Sequence, residues 1–124
     1  MAHLSINLGI DVPVLDQTRL LEQFGEEPEI VAELQDLFLE DFPNQLGNIR
    51  RGLADGDASI VARAAHSLKG ASGTFGAERV YQVALALEQL AREGRLEDVS
   101  LGIDLLKDEL DKVVDRVRNL QLSS

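Results

Sequence analysis

The sequence predicts an all-α protein, an up-down-up-down four-helix bundle with a short additional N-terminal helix. Four segments carry apolar residues at helical spacing, and no segment alternates as a half-buried strand does. Glycines join these segments by short connections, which favour antiparallel neighbours. The chain has 124 residues and is 44% hydrophobic, enough for one domain with one core. Because only 4% of the residues are aromatic, we expect an aliphatic core.

The N-terminal residues are expected to contribute least to the bundle. We predict a loose lead-in over residues 1–15 and the helical domain over residues 16–122. The segment Met1–Gly9 has no basic residue ahead of its apolar ones, which argues against a signal peptide. Asp16 has a side chain suited to capping a short helix over residues 17–24, which a glycine then ends.

The first long helix is expected to begin at Pro28, since proline suits a first helical turn, and to end at Gly56. Pro43 lies inside it and is expected to kink it, because proline removes a backbone donor. Its apolar positions are Leu34, Phe38, Phe42, Leu46, Ile49 and Leu53.

The second long helix is expected to begin after Asp57, whose side chain can cap it. Gly73 and Gly76 are expected to mark the turn at its end. Its buried face is predicted to consist of Val61, Ala65, Leu68 and Ser72.

Two further helices complete the predicted bundle. One runs from about Ala77 to Gly94, and the last has acidic residues 97–98 in its first turn, where the helix dipole favours them. An i,i+4 ion pair is expected between Asp108 and Lys112. The apolar stripes of the two helices are Val80, Val83, Ala84, Leu87, Leu90 and Ala91, and Leu106, Leu110, Val113, Val117 and Leu120.

Composition excludes several classes of function. The net charge of −10 argues against nucleic acid and anionic membranes as partners. No apolar run approaches the roughly 18 residues that span a bilayer. The absence of cysteine excludes disulfides, zinc–thiolate sites and cysteine nucleophiles, and it agrees with the cytoplasmic location that we expect.

The charge is unevenly distributed along the chain. Residues 58–77 contain no Asp or Glu, although they contain Arg63, His66 and Lys69. Chance is one explanation of this neutral-to-positive stretch in an acidic protein. The other is a site that handles an anion.

A helical wheel of about 100° per residue places His66 on the outer side of the second long helix. Lys69 lies within about 60° of it and one turn along the helix. Ala62, Gly70 and Gly73 share this outer side. The surface around the imidazole is therefore predicted to carry few long side chains, apart from the lysine.

Folding the second long helix back on the third places His66 level with residues 84–88. The ionisable side chain in that window is Glu88. Its carboxylate can accept a hydrogen bond from Nδ1–H of His66, which fixes the tautomer and leaves Nε2 outward as a nucleophile. The alternative is that Glu88 is a solvated surface residue.

Other interpretations of these residues remain open on spacing alone. His66 is a plain surface histidine in one of them, Lys69 a solvated lysine, and Gly70 the end of the helix. We expect no metal site, because the second histidine, His3, lies in the lead-in. The lysine precedes the glycines, whereas a phosphate-binding loop has it after them, so we expect no ATP site and no enzyme activity by the chain itself.

The segment around His66 resembles the signature of histidine phosphotransfer (HPt) domains. The matching run is Ala65-His66-Ser67-Leu68-Lys69-Gly70-Ala71-Ser72-Gly73-Thr74-Phe75-Gly76. Residues 40–43, Glu-Asp-Phe-Pro, resemble the family's preceding helix, and Leu87-Glu88 resembles the position that contacts the phosphorylated histidine. The resemblance covers roughly residues 16–120.

This resemblance implies a phosphocarrier that accepts a phosphoryl group on His66 from a receiver-domain aspartate and passes it to another receiver. It implies that Lys69 is the charge partner and that Glu88 orients the imidazole. The receiver is expected to hold Mg²⁺, and this chain is expected to need no cofactor of its own. The expected partners are receiver domains of response regulators, with a hybrid histidine kinase as a further candidate, and the protein itself is expected to be a monomer. Docking is expected at Ala62, Arg63, Gly70 and Gly73.

Two alternatives stand beside this function. The Gly73–Gly76 segment is also similar to the phosphotransfer domain of chemotaxis histidine kinases, which implies phosphorylation of His66 from ATP by a separate kinase core. The second alternative is a helical interaction module that is not phosphorylated.

Overall fold

The structure, a computed structural model, describes residues 14–16, 22–23 and 26–119. Four long helices make up almost all of it: α1 (Pro28–Asp55), α2 (Ala58–Phe75), α3 (Glu78–Arg92) and α4 (Leu96–Arg118). Consecutive helices pack against each other, and α4 closes the bundle against α1. No strand occurs in the described residues, so the predicted all-α four-helix bundle is confirmed.

The predicted short N-terminal helix lies largely outside the described residues. Residues 22 and 23 have helical backbone, and residues 17–21 and 24–25 are not described. Leu15, which the sequence placed at the end of the lead-in, is 7% exposed and belongs to the core. The backbone N–H of Asp16 donates to the carbonyl of Gly76 at 2.9 Å, which ties this segment to the α2–α3 turn.

Asp57 and Gly76 determine where α2 begins and ends. The carboxylate of Asp57 accepts hydrogen bonds from the backbone N–H groups of residues 59 and 60, at 3.1 and 3.2 Å, as an N-cap does. Gly76 ends the helix in the left-handed region, at φ 72°, which glycine adopts without steric cost. Gly73 lies inside the helix, so the prediction that it marks the turn is wrong. The cap needs one left-handed residue, and Gly76 supplies it.

The predicted apolar stripes of the second to fourth long helices are buried wherever the structure describes them. Leu120 lies outside the described residues. In α1, Phe38, Phe42 and Ile49 are buried and the other predicted positions are half-buried. The helix continues through Pro43, whose side chain is exposed. No helix in the described part of the chain is long and apolar enough to cross a membrane.

A buried ion pair joins α3 to α4. Arg79 donates from Nε and Nη2 to the two carboxylate oxygens of Glu109, at 2.8 and 2.9 Å. Glu109 is 1% exposed, and the hydrogen bonds from Arg79 hold the pKa of its carboxyl below the ordinary value despite burial. Lys112 also donates to Glu109, at 3.2 Å, and the predicted pair between Asp108 and Lys112 is therefore wrong. The buried carboxylate is the stronger acceptor because less water screens it.

Candidate functional site

His66 lies on the outer side of α2, opposite the buried stripe of that helix. Its side chain is 61% exposed, whereas Ala65 and Leu68 are fully buried. The outward orientation predicted from the helical wheel is confirmed. A reacting group can therefore approach the imidazole from solvent.

The carboxylate of Glu88 on α3 holds the imidazole from the protein side. Nδ1 of His66 lies 2.9 Å from Oε2 of Glu88. The antiparallel register inferred from the turn position thus brings these two side chains together as predicted. Glu88 is 4% exposed, so the alternative of a solvated surface residue is wrong.

Glu88 receives hydrogen bonds from two cations as well. Lys69 Nζ lies 2.7 Å from Oε1, and Arg92 Nη2 lies 2.7 Å from Oε2. Burial pushes the pKa of Glu88 upward, but the hydrogen bonds from Lys69, Arg92 and His66 outweigh it and lower the pKa from 4.5 to about 2. The carboxylate is therefore ionised at neutral pH.

The ionised carboxylate fixes the tautomer of His66. A carboxylate without its proton only accepts hydrogen bonds, so Nδ1 of the imidazole must carry the proton and donate it. In a neutral imidazole the remaining nitrogen, Nε2, then has a free lone pair. The contact with Glu88 therefore makes the exposed imidazole a nucleophile at a defined atom.

Lys69 is beside the site but is not free. Its side chain is 22% exposed, and its ammonium is bonded to the same carboxylate as His66. This position next to Glu88 agrees with a charge partner of the imidazole.

Arg92 was not among the site residues predicted from the sequence, although its i,i+4 spacing from Glu88 indicates a contact. It lies four residues after Glu88 on α3, the spacing at which a glutamate and a following cation meet on a helix surface. Its guanidinium bonds Oε2, the oxygen that also accepts from Nδ1 of His66. Arg92 therefore helps to fix the carboxylate that orients the imidazole.

An open groove lies between α2 and α3 on the N-terminal side of His66. We call it the arginine groove; its lining residues are Ala58, Ser59, Ala62, Arg63, His66, Ala91 and Arg92. Ala62 is 7% exposed, so its predicted position on the outer side is wrong. It lies in the groove, at the flank where α2 packs against α3, while Arg63 is exposed.

The other two predicted docking residues lie on the C-terminal side of His66. Gly70 and Gly73 line a second open groove together with Gln23, Lys69, Thr74, Glu78 and Tyr81. Gly70 is exposed, and a Cβ built on it meets no atom within 4 Å. A Cβ on Gly73 would lie 3.6 Å from the ring of Tyr81. The alternative that α2 ends near Gly70 is wrong, because the helix continues to Phe75.

A third groove, between α1 and α2, is mostly apolar. It is lined by Leu34, Leu37, Phe38, Asp41, Ala71, Thr74 and Phe75. Leu37 is 61% exposed. The described residues contain no group of three or more His, Cys, Asp or Glu side chains placed to hold a metal ion.

Comparisons with known proteins agree with this geometry. The family model of the Hpt domain matches residues 33–116. No curated protein sequence matches the chain significantly.

Two solved structures are similar over nearly their whole length. Histidine-containing phosphotransfer protein B from Pseudomonas aeruginosa is 28% identical, with a TM-score of 0.77, over 88% of this chain and 95% of that one. The HPT domain of a sensor hybrid histidine kinase from Shewanella is 25% identical, with a TM-score of 0.74, over 88% and 94% of the two chains. The chain therefore belongs to the family of histidine phosphotransfer (Hpt) domains, the phosphoryl carriers of two-component phosphorelays.

Proposed function

We propose that His66 carries the phosphoryl group, accepting it from the phospho-aspartate of one receiver domain and passing it to the aspartate of another. The observation that carries this proposal is the pairing of Nδ1 with an ionised, buried carboxylate while the side chain is 61% exposed. A histidine with a purely structural role would not need an exposed ring, and a plain surface histidine would not need a buried carboxylate as its partner.

The transfer step follows from this arrangement. The Nε2 lone pair of His66 attacks the phosphorus of the acyl phosphate, the bond from phosphorus to the aspartate oxygen breaks, and the receiver regains its carboxylate. Nδ1 keeps its proton, so the imidazole ring becomes positively charged as the N–P bond forms. Glu88 lies 2.9 Å from Nδ1 and stabilises that charge. In the second step, an aspartate carboxylate of the other receiver attacks the same phosphorus, the N–P bond breaks, and Nε2 of His66 regains its lone pair.

Lys69 and Arg92 balance the charge that arrives with the phosphoryl group. The unphosphorylated cluster contains one ionised carboxylate and two cations, and its cations lie 2.7 Å from the carboxylate oxygens. A phosphoryl group on Nε2 adds about two negative charges at neutral pH. Lys69 has three rotatable donors, so it can turn toward the phosphoryl oxygens while Arg92 keeps Glu88 in place. A Mg²⁺ ion held by the receiver would supply further charge neutralisation.

The protein acts here as a carrier rather than as an enzyme with its own ATP site. It presents the nucleophile on a convex helix surface, with the receiver covering it during transfer. Docking uses Arg63 and the arginine groove, which Ala62 lines, on one side of the histidine, and Gly70 and Gly73 on the other. A transient complex of this kind is compatible with a monomer, and the cytoplasmic location stays a prediction.

The test is transfer from a panel of phosphorylated receiver domains to the wild type and to His66→Gln. Acid-labile, alkali-stable label on the wild type alone is the expected result. The substitution removes an exposed ring, so circular dichroism should show unchanged helicity. Equal labelling of His66→Gln would refute the proposal. Label obtained only with ATP and a chemotaxis-type kinase core would favour that donor, and no label from either source would favour an interaction module.

A further inference from the structure

The arginine groove suggests which part of the partner approaches the site. Its small lining residues are Ala58, Ser59, Ala62 and Ala91, and its charged lining residues are Arg63 and Arg92. No Asp or Glu lines it. We propose that this groove is a docking subsite for a carboxylate-bearing segment of the receiver domain, with Arg63 as its main recognition residue.

The charge of the groove contrasts with that of the rest of the chain. The protein has a formal net charge of −10, which repels an anionic partner at a distance. The segment 58–77 nevertheless has no acidic residue. Glu88, the carboxylate nearest to His66, is 4% exposed and is already bonded to two cations. The groove therefore presents positive charge where the partner must come closest.

The two arginines differ in how much of their binding capacity is used. Within the part of the chain that the structure describes, Arg63 makes no hydrogen bond or ion pair. Arg92 uses Nε and Nη2 on Glu88, which leaves Nη1 for another acceptor. A guanidinium is suited to a carboxylate because its planar donors match the two oxygens. Arg63 is thus available for a partner, whereas Arg92 is mainly committed to Glu88.

The chemistry of the proposed donor supplies the matching charge. An aspartyl phosphate is anionic, and a Mg²⁺ ion beside it is held by oxygen ligands, typically carboxylates. For attack, the phosphorus must come within about 3–3.5 Å of Nε2. The part of the receiver around that phosphate is then brought next to the groove, because His66 is one of its lining residues. This inference rests on the proposed function, since it assumes a receiver as the partner.

The test compares Arg63→Glu with Arg118→Glu, using whichever receiver domain labels the wild type fastest. Arg118 is exposed on the last turn of α4, near the start of α1, whereas the groove lies between the start of α2 and the end of α3. Both variants change the charge equally. The rate constant of single-turnover transfer is measured against receiver concentration; its saturating value is written kcat, and the receiver concentration that gives half of it is written KM. The measurement is made at roughly 10 mM salt, where the Debye length is about 30 Å, and at about 1 M, where it is about 3 Å.

We expect Arg63→Glu to lower kcat/KM about ten-fold at low salt through KM, with kcat unchanged, and to approach the wild type at high salt. Arg118→Glu should change kcat/KM less than two-fold. Arg63→Lys, which keeps the charge, should recover most of the loss.

Equal kcat/KM for the Arg63→Glu and Arg118→Glu variants, with normal labelling of the wild type, would overturn the docking subsite and leave the carrier function intact. A loss that appears in kcat alone and does not depend on salt would overturn it as well. Failure of the wild type to accept label from any receiver would instead reject the proposed function, and the subsite with it.

Discussion

Replacing Gly70 should make the protein more stable and a poorer phosphoryl carrier. Gly70 lies inside α2, four residues after His66, and nothing lies within 4 Å of the position where a Cβ would stand. Alanine loses less backbone entropy than glycine in a helix interior, which is worth about 0.5–1 kcal/mol. For a domain of this size, that gain corresponds to a rise in Tm of roughly 2–5 °C.

The functional effect should have the opposite sign. The partner has to bring its phosphorus within about 3–3.5 Å of Nε2. A side chain one turn away on the same exposed face holds the partner further out, and a misplacement of about 1 Å can reduce the rate about 100-fold. We expect Gly70→Ala to slow transfer several-fold and Gly70→Leu to slow it by about 100-fold.

Gly47 provides the matched control. It is an exposed glycine inside α1 with open space around its Cβ position, and α1 does not carry the residues around His66. Gly47→Ala should give the same gain in Tm, and Gly47→Leu should leave transfer unchanged. Thermal unfolding by circular dichroism and single-turnover transfer from a phosphorylated receiver measure the two effects. Equal transfer rates for the two leucine variants would refute the clearance argument.

Three further predictions concern stability. The pKa of Glu88 is lowered to about 2 in the folded protein, so its stabilising effect is complete above pH 4.5 and disappears as the pH falls toward 2. Glu88→Gln should therefore cost roughly 2 kcal/mol at pH 7 and almost nothing near pH 2 in urea unfolding, and a constant difference would contradict this. Gly52→Ala should lose about 1–2 kcal/mol despite its better helix propensity, because its Cβ would lie 2.7 Å from Cγ2 of the buried Val61; a gain in Tm would exclude the clash. Glu109→Gln should lose about 3 kcal/mol by breaking the bidentate pair with Arg79, with the transfer rate per folded molecule unchanged.

The sequence was sufficient to place the central contact because that contact depends on regular geometry. Helical periodicity put His66 on the outer side of α2, and the short turn at Gly76 fixed which residues of α3 lie level with it. The pair with Glu88 followed from these two facts. Periodicity and turn position are local properties, so they can be inferred from the sequence without knowledge of side-chain packing.

Details that depend on competition between neighbours did not follow from the sequence. Lys112 bonds Glu109 instead of Asp108, because burial beside Arg79 makes Glu109 the better acceptor. Ala62 is covered where α2 packs against α3, although the wheel put it outside. A wheel describes one helix, and burial at its flanks is decided by its neighbours.

The site showed the same limit. Glu88 was expected to serve His66, yet Lys69 and Arg92 bind the same carboxylate. The spacing of Glu88 and Arg92 signalled their contact, but their joint role appears only when α2 and α3 are brought together. Only the folded bundle shows that this carboxylate is almost completely buried and therefore holds its charge only with partners.

The most direct test of the account is the identity of the phosphorylated nitrogen. The chain has two histidines, so a His3→Gln background leaves His66 alone. After transfer from a phosphorylated receiver, long-range correlation of ¹⁵N-labelled imidazole with ¹H, together with ³¹P coupling, assigns the bond. We expect phosphorus on Nε2 and a retained proton on Nδ1, held by Glu88. Phosphorus on Nδ1, or label in the protein that is absent from His66, would contradict the account.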